Sequence, residues 1–147
     1  MRIIPVVSAR AKSCRAAIAA LFLAAAPSVM GAEVSYAGTW QCDASPKANI
    51  PGFSVPASAV VDGEQVNVSR VVYRPGSYTD VAGEMTGKGA VRDGRVIVEM
   101  ATASGSLSGR FEGKVSSTEM TLAGTEMLRI PDRGEDQRAC KALLTRK

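Results

Sequence analysis

The sequence predicts an all-β fold, an antiparallel up-and-down barrel or a closed sandwich of about eight strands. Apolar and polar residues alternate over short segments, which is typical of strands with one face in a core. Turn signals such as Asp62-Gly63 and Asp93-Gly94 separate these segments. Beyond the N-terminal segment, no stretch has the periodicity of a helix. We therefore expect a meander in which each strand pairs with the next.

The N-terminal segment has the pattern of a Sec-type secretory signal peptide. Four basic residues precede or flank the start of an apolar run over residues 16–26, and cleavage is expected near Gly31 or Ala32. The apolar run is too short to span a bilayer, which takes about 20 residues. We expect a signal peptide over residues 1–32, a single barrel domain over residues 33–147, and a periplasmic or secreted location.

The positive charge of the chain belongs to this leader. The whole sequence has 18 basic and 14 acidic residues, and four basic but no acidic residues lie in the leader. The mature part therefore carries 14 of each and has no formal net charge. This balance gives no reason to expect nucleic acid or an anionic membrane as a partner. We expect no stable membrane insertion after leader cleavage.

Cys42 and Cys140 are the cysteines that remain after the leader is removed. In an exported protein, two remaining cysteines predict a disulfide bond. Cys42 lies in the first predicted strand and Cys140 in the last, so the bond would join the two ends of the sheet. Closing a loop of about 100 residues is worth roughly 4 to 5 kcal/mol in the chain-entropy model.

The strand boundaries follow from the alternation and from the turn residues. The first strand contains Trp40, the single tryptophan, and residues 43–54 after it are predicted to form a loop. In the third strand the alternation loses its phase at Arg70, which predicts a β-bulge there. The charged segment 129–136 is predicted to be a loop. The predicted strands are residues 36–42, 55–61, 65–74, 81–91, 95–102, 105–115, 119–128 and 137–145.

Two of these strands, residues 81–91 and 105–115, carry the clearest alternation. They align at an offset of 26 residues, so that Met85 and Phe111 take matching inward positions. This similarity predicts that both strands occupy equivalent places in the meander. The predicted inward residues are Val81, Gly83, Met85, Gly87, Gly89 and Val91 in one strand, and Gly105, Leu107, Gly109, Phe111, Gly113 and Val115 in the other.

Several glycines on the inward face admit two interpretations. In the first, they let the strands coil tightly around large side chains such as Trp40 and Phe111, which gives a filled core. In the second, they leave a small and mostly aliphatic ligand cavity. The candidate interior or ligand-facing residues are Trp40, Met85, Phe111, Leu107 and Val98.

The chain lacks the side chains of the commonest catalytic and metal sites. It contains no histidine, which excludes His-based triads and the commonest zinc ligand. Its glycine patterns match neither a phosphate loop nor a dinucleotide fingerprint. The carboxylates considered alternate with apolar residues or lie among arginines, as solvated groups do: Glu84, Glu99, Glu112, Asp132, Glu135 and Asp136. We expect no catalytic residue, no cofactor and no metal.

Tyr73, Arg74 and Tyr78 surround the Pro75-Gly76 turn and form a candidate contact loop. Tyrosine and arginine are enriched at the energetic centres of protein interfaces, which favours a contact with another protein. In the alternative interpretation, one tyrosine belongs to the core and the other to the rim of the barrel.

The chain has a recognisable outline: a signal peptide, Gly38-Thr39-Trp40 with Cys42 two residues later, a glycine-punctuated meander, and Cys140 in the final strand. In this outline it resembles uncharacterised small exported β-barrel proteins of proteobacteria. The resemblance implies the Cys42–Cys140 bond and implies no activity. More loosely, the chain is similar to bacterial inhibitors of c-type lysozyme. Through Gly-x-Trp it is also similar to avidin-like and lipocalin-like barrels, whose pockets carry further aromatic residues.

These observations favour a non-enzymatic binding or interaction module of the bacterial envelope. Its partner would be a small apolar ligand inside the barrel or an envelope protein outside it, and not nucleic acid. The alternative is a periplasmic inhibitor of a lysozyme-type hydrolase. An enzyme is the third class, and the missing histidine and free thiol disfavour it.

Overall fold

A computed structural model describes residues 31–77 and 79–147 and has an all-β fold. Most of the predicted signal peptide and Tyr78 lie outside the described residues. Within them there are eight strands and no α-helix, so no helix there is long and apolar enough to cross a membrane. The strands are β1 Val34–Cys42, β2 Phe53–Asp62, β3 Gln65–Tyr73, β4 Val81–Arg92, β5 Arg95–Thr102, β6 Leu107–Val115, β7 Glu119–Ile130 and β8 Gly134–Arg146.

The eight strands form one closed antiparallel barrel. Each strand pairs with the next one in the sequence, and β8 pairs back with β1. The predicted up-and-down barrel is confirmed. The inward strand positions of one sheet therefore enclose a common interior.

The connections make the two ends of the barrel different. At one end, β2–β3 and β4–β5 are joined by residues 63–64 and 93–94, and β6–β7 by residues 116–118. Asp93 and Gly94 have φ of 51° and 73°, the left-handed conformation that tight hairpin turns require. The other end carries longer connections, residues 43–52, 74–80, 103–106 and 131–133. We call this second end the mouth.

The middle of the barrel is filled by side chains. Trp40, Met85, Val98 and Phe111 are fully buried there. The rings of Trp40 and Phe111 meet edge to face with their centroids 4.6 Å apart, a favourable arrangement for aromatic pairs. The first interpretation of the inward glycines, a filled core, describes this part of the barrel.

Two inward glycines make room for the Phe111 ring. Gly124 lies directly opposite Phe111 on β7, and a Cβ at Gly124 would stand 2.7 Å from the ring. A Cβ at Gly109 would stand 2.8 Å from the same ring. Both distances are far below van der Waals contact, so a larger residue at either position would force the ring or the strand to move.

The end opposite the mouth is closed by Tyr36. Its side chain is buried, and its hydroxyl donates a hydrogen bond of 2.8 Å to the backbone carbonyl of Ser116. This bond joins β1 to the β6–β7 turn across the end of the barrel.

At the mouth, β2, β7 and β8 are longer than predicted. β2 begins at Phe53, inside the predicted loop, and Pro56 lies within it. The pairing between β2 and β3 starts at Ala57, the residue after Pro56. Pro56, which has no backbone N–H to donate, therefore lies outside the part of β2 that pairs with β3. The predicted charged loop is largely strand, because β7 continues to Ile130 and β8 begins at Gly134.

The predicted bulge at Arg70 is wrong. Arg70 pairs in regular register with Met85, and the register shift lies between Val72 and Tyr73. The alternation of β3 continues through Arg70, whose side chain is buried inside the barrel. An arginine can take this inward position because it meets a buried carboxylate, described below.

Three positions predicted to face inward do not. Val81 and Gly83 are exposed at the start of β4, next to the register shift of β3. Gly105 precedes β6 in a turn, with φ of 70°. The alternation therefore ends towards the mouth, where β4 pairs with β3 alone and the register of that ladder shifts.

The predicted Cys42–Cys140 disulfide is present. The two residues lie directly opposite each other in the ladder between β1 and β8. The bond thus joins the first strand to the last at the seam that closes the barrel.

We expect the double substitution Cys42→Ser/Cys140→Ser to lower the free energy of unfolding by about 4 kcal/mol, because the unfolded chain gains entropy without the cross-link. Urea denaturation followed by circular dichroism measures the change. Wild-type protein unfolded under reducing conditions serves as the matched comparison and should lose a similar amount. An unchanged denaturation midpoint in both cases would show that the ladders alone hold the seam.

Candidate ligand-binding site at the mouth of the barrel

A pocket of about 330 Å³ opens at the mouth. Its lining comes from β2, β3, the start of β4, β6, β8, and the connections β1–β2, β3–β4 and β5–β6. Most of the wall is apolar, and we call this space the mouth pocket. Its lining residues are Ile50, Pro51, Phe53, Val55, Arg70, Val72, Tyr73, Arg74, Pro75, Gly76, Ser77, Ala82, Ser106, Leu107 and Arg138.

Two of these residues, Arg70 and Arg138, form a charged floor together with Glu126. Arg70 Nη2 donates a 2.6 Å hydrogen bond to Glu126 Oε1, and Arg138 Nη2 donates one of 3.1 Å to the same oxygen. Arg70 belongs to β3 and Glu126 to β7, which lie opposite each other in the strand order of the barrel. The ion pair therefore crosses the interior, beneath the mouth pocket.

The charged floor is buried. The side chains of Arg70, Glu126 and Arg138 expose 2%, 0% and 3% of their surface. Burial lowers the pKa of the Arg70 guanidinium; the charge of Glu126 opposes this effect, and the charge of Arg138 adds to it. Two guanidinium groups face one carboxylate, so the three side chains together carry one excess positive charge.

Part of the hydrogen-bonding capacity of the floor is unused. Arg70 Nε, Arg138 Nε and Arg138 Nη1 are buried and have no acceptor among the described residues. Arg70 Nη1 donates to the backbone carbonyl of Val71 at 3.2 Å. Buried donors normally have partners, so these three mark the floor as a place where an acceptor is expected.

Phe53 joins the charged floor to the apolar wall. The guanidinium carbon of Arg138 lies 4.5 Å from the centre of its ring, and that of Arg70 lies 5.5 Å from it. Both distances are typical of cation–π interactions. The ring therefore stabilises both cations and also lines the mouth pocket.

The disulfide lies against the other oxygen of Glu126. Glu126 Oε2 is 3.3 Å from the sulfur of Cys42 and 3.3 Å from that of Cys140. The three residues have the side chains of a metal ligand set. Cysteine ligates a metal as a thiolate, and both sulfurs here are bonded to each other. This cluster therefore supports the charged floor and is not a metal site in the oxidised protein.

The long connection β1–β2, which supplies one wall, is attached to the start of β8. The buried hydroxyl of Ser45 donates to the carboxylate of Asp136, and this hydrogen bond is the main cause that lowers the pKa of Asp136. Lys47 donates to the backbone carbonyl of Glu135 at 3.3 Å. Glu135 also pairs with Arg129 at 3.7 Å. The bonds from Ser45 and Lys47 thus attach the β1–β2 connection to the start of β8.

The structure divides the residues predicted from the sequence between two places. Trp40, Met85, Val98 and Phe111 lie in the filled core and do not line the mouth pocket. Leu107, Tyr73 and Arg74 line it, and Tyr78 lies outside the described residues. The predicted interior site and the predicted contact loop therefore meet, in part, at the mouth.

Sequence reasoning missed the charged floor and Phe53. The sequence did contain a signal for Arg70. It lies at an alternate position of β3 with Val66 and Val68, so its side chain faces the same side of the sheet as these inward residues. Glu126 lies four residues after the inward Leu122 in β7, so it also faces the interior. The lost phase at Arg70 was interpreted as a bulge, and Glu126 was not singled out, because an unpaired charge is rarely buried.

A broader concavity of about 740 Å³ lies on the outer face of β2 to β6. Its polar side chains include the exposed residues Asn67, Lys88 and Arg110. Arg110 already pairs with Glu112 at 3.2 Å and with Glu99 at 3.6 Å. This face is a solvated surface, and the mouth pocket is the stronger candidate site.

No protein-family model, curated protein or solved structure matches this chain. The resemblance to exported proteobacterial barrels therefore stays a prediction.

We expect Glu126→Gln to lower the free energy of unfolding by about 3 to 5 kcal/mol, because it leaves two buried guanidinium groups without a counter-charge. The control Glu112→Gln removes an exposed carboxylate and should change stability by no more than about 0.5 kcal/mol. Urea denaturation measures both.

The triple substitution Arg70→Met/Glu126→Leu/Arg138→Met should be neutral or stabilising, since apolar residues of similar volume carry no desolvation cost. Equal stability of Glu126→Gln and Glu112→Gln would contradict the ion-pair geometry described above.

Proposed function

We propose that the protein is a non-enzymatic binding module, exported to the bacterial envelope, that takes a small ligand with an apolar body into the mouth pocket. The observation that carries this proposal is a pocket with apolar walls above a buried, partly unpartnered charged floor. Ligand sites commonly combine an apolar lining with a few polar groups at fixed places.

The walls suit an apolar body. Phe53, Val72 and Leu107 are only half-buried, so apolar surface remains for a ligand to cover. Covering apolar surface is worth about 25 cal/mol for each Å² removed from water. A volume of about 330 Å³ holds roughly ten water-sized groups, since a water occupies about 30 Å³. The pocket therefore suits a ligand of about ten non-hydrogen atoms.

The chemistry of the site supports binding more than catalysis. Its carboxylate, Glu126, is buried and accepts hydrogen bonds from both arginines. Its sulfurs are bonded to each other, and the chain has no histidine. The pocket thus offers shape and charge, and the hydroxyls of Tyr73, Ser77 and Ser106 in its lining have no histidine to activate them.

The proposed location follows from two features. The leader has the order of a secretory signal, a basic region followed by an apolar run and small residues. A disulfide between strands is compatible with an oxidising compartment such as the periplasm. The alternative function, an inhibitor of a lysozyme-type hydrolase, stays a prediction.

We expect an eight-carbon amphiphile, either octanoate or 1-octanol at higher concentration, to shift the amide resonances of Val72, Tyr73 and Leu107. Covering the apolar wall changes the environment of these residues first. Titration of ¹⁵N-labelled protein measures the shifts.

Two variants make the test specific to the mouth pocket. Leu107→Trp should fill the pocket and abolish the shifts. Leu143→Trp adds the same ring on the outer face of β8, where Leu143 is exposed, and should leave the shifts intact. Shifts confined to the outer face of β2 to β6, or none with either compound, would refute the proposal.

A further inference from the structure

We infer that the mouth pocket selects an amphipathic monoanion, with a carboxylate head on the charged floor and an apolar body along the wall. This inference rests on the proposed function and specifies the class of ligand. Three observations carry it: the charge of the floor, its unused donors, and the position of the apolar wall above them.

The charged floor has a net charge of +1, which one further negative charge would neutralise. Arg70 and Arg138 contribute two positive charges and Glu126 one negative charge, and all three side chains are almost fully buried. A buried charge without a counter-charge is unfavourable, because the site cannot solvate it as water does. A bound monoanion would neutralise the cluster, whereas a dianion would reverse the imbalance and a cation would increase it.

The floor has three nitrogens left over as donors for that anion. Arg138 Nε and Nη1 and Arg70 Nε have no acceptor among the residues that the structure describes. Both arginines line the mouth pocket, so a head group at its base would lie against their guanidinium groups. The three unpartnered nitrogens are covered, so the guanidinium groups must turn towards the head group to donate to it. Hydrogen bonds between a guanidinium and a carboxylate are charge-assisted and stronger than neutral ones. Glu126 and Phe53 hold the guanidinium groups, which reduces the cost of ordering them on binding.

The apolar part of the ligand has a defined direction. Phe53 lies against both guanidinium groups, and Val72, Tyr73 and Leu107 continue the wall. A ligand that places its head on the floor must lay its body against these residues. Medium-chain fatty acids and small aromatic acids share this chemistry, and their sizes fit a pocket of about 330 Å³.

The test compares octanoate, 1-octanol and octylamine, which have the same chain and differ in the head group. Titrations of ¹⁵N-labelled wild-type protein at pH 7 give an affinity for each compound from the shifts at the mouth. We expect octanoate to bind at least tenfold more tightly than 1-octanol, and octylamine to cause no shifts there. Acetate tests the head without the body and should bind at least tenfold more weakly than octanoate. Comparison with 3-phenylpropanoate then shows whether a linear or an aromatic body is preferred.

A variant locates the head group. Arg138→Met removes two of the three unpartnered donors and leaves a neutral Arg70–Glu126 pair, so octanoate should bind no better than 1-octanol. The control Arg110→Met removes an arginine that is 57% exposed on β6 and should keep the wild-type preference. The comparison of head groups in the wild-type protein stands by itself if Arg138→Met does not fold.

The outcomes separate the inference from the proposed function. Equal affinities for octanoate and 1-octanol would overturn the inference and leave a neutral binding pocket. Acetate binding as tightly as octanoate would overturn the amphipathic part, because the wall would then contribute nothing. If no compound shifts the mouth, both the inference and the proposed function are wrong.

Discussion

The pairing of β1 with β8 is the constraint on which the rest of this structure depends. It converts a meander with two free edges into a closed barrel and thereby defines an inside. The Cys42–Cys140 bond lies in this seam, and its sulfurs contact the carboxylate of Glu126. Closure of the sheet and construction of the charged floor therefore take place at the same position.

The charged floor divides the interior into two parts with different properties. Towards the closed end, aromatic and aliphatic side chains fill the space, and Gly109 and Gly124 make room for the Phe111 ring. Towards the mouth, longer connections leave a pocket with an apolar wall. A buried Arg–Glu–Arg cluster is a poor device for stability, since apolar residues of similar volume often do as well or better. Its place at the base of a pocket supports a role in recognition.

Local patterns were sufficient for most of the barrel because they depend on near neighbours in the chain. The Asp-Gly turns define the hairpins at the closed end, and the alternation defines the inward faces of β5 and β6. The errors lie at the mouth, where β2, β7 and β8 extend into segments with loop-like composition. Pairing with a neighbouring strand compensates there for the low β propensity of these segments. Which strand will be the neighbour cannot be read from the local sequence.

The sequence by itself determined an eight-stranded meander, the inward positions of Trp40 and Phe111, and the cysteines that could close it. Only the tertiary structure decided that Arg70, Glu126 and Arg138 meet. Each charge alone would be too costly to bury. The alternation of the strands was therefore not enough to predict that these residues face inward. Residues separated by 56 positions become partners when the closed sheet places β3 opposite β7, and the same closure turns three isolated charges into the floor of a pocket.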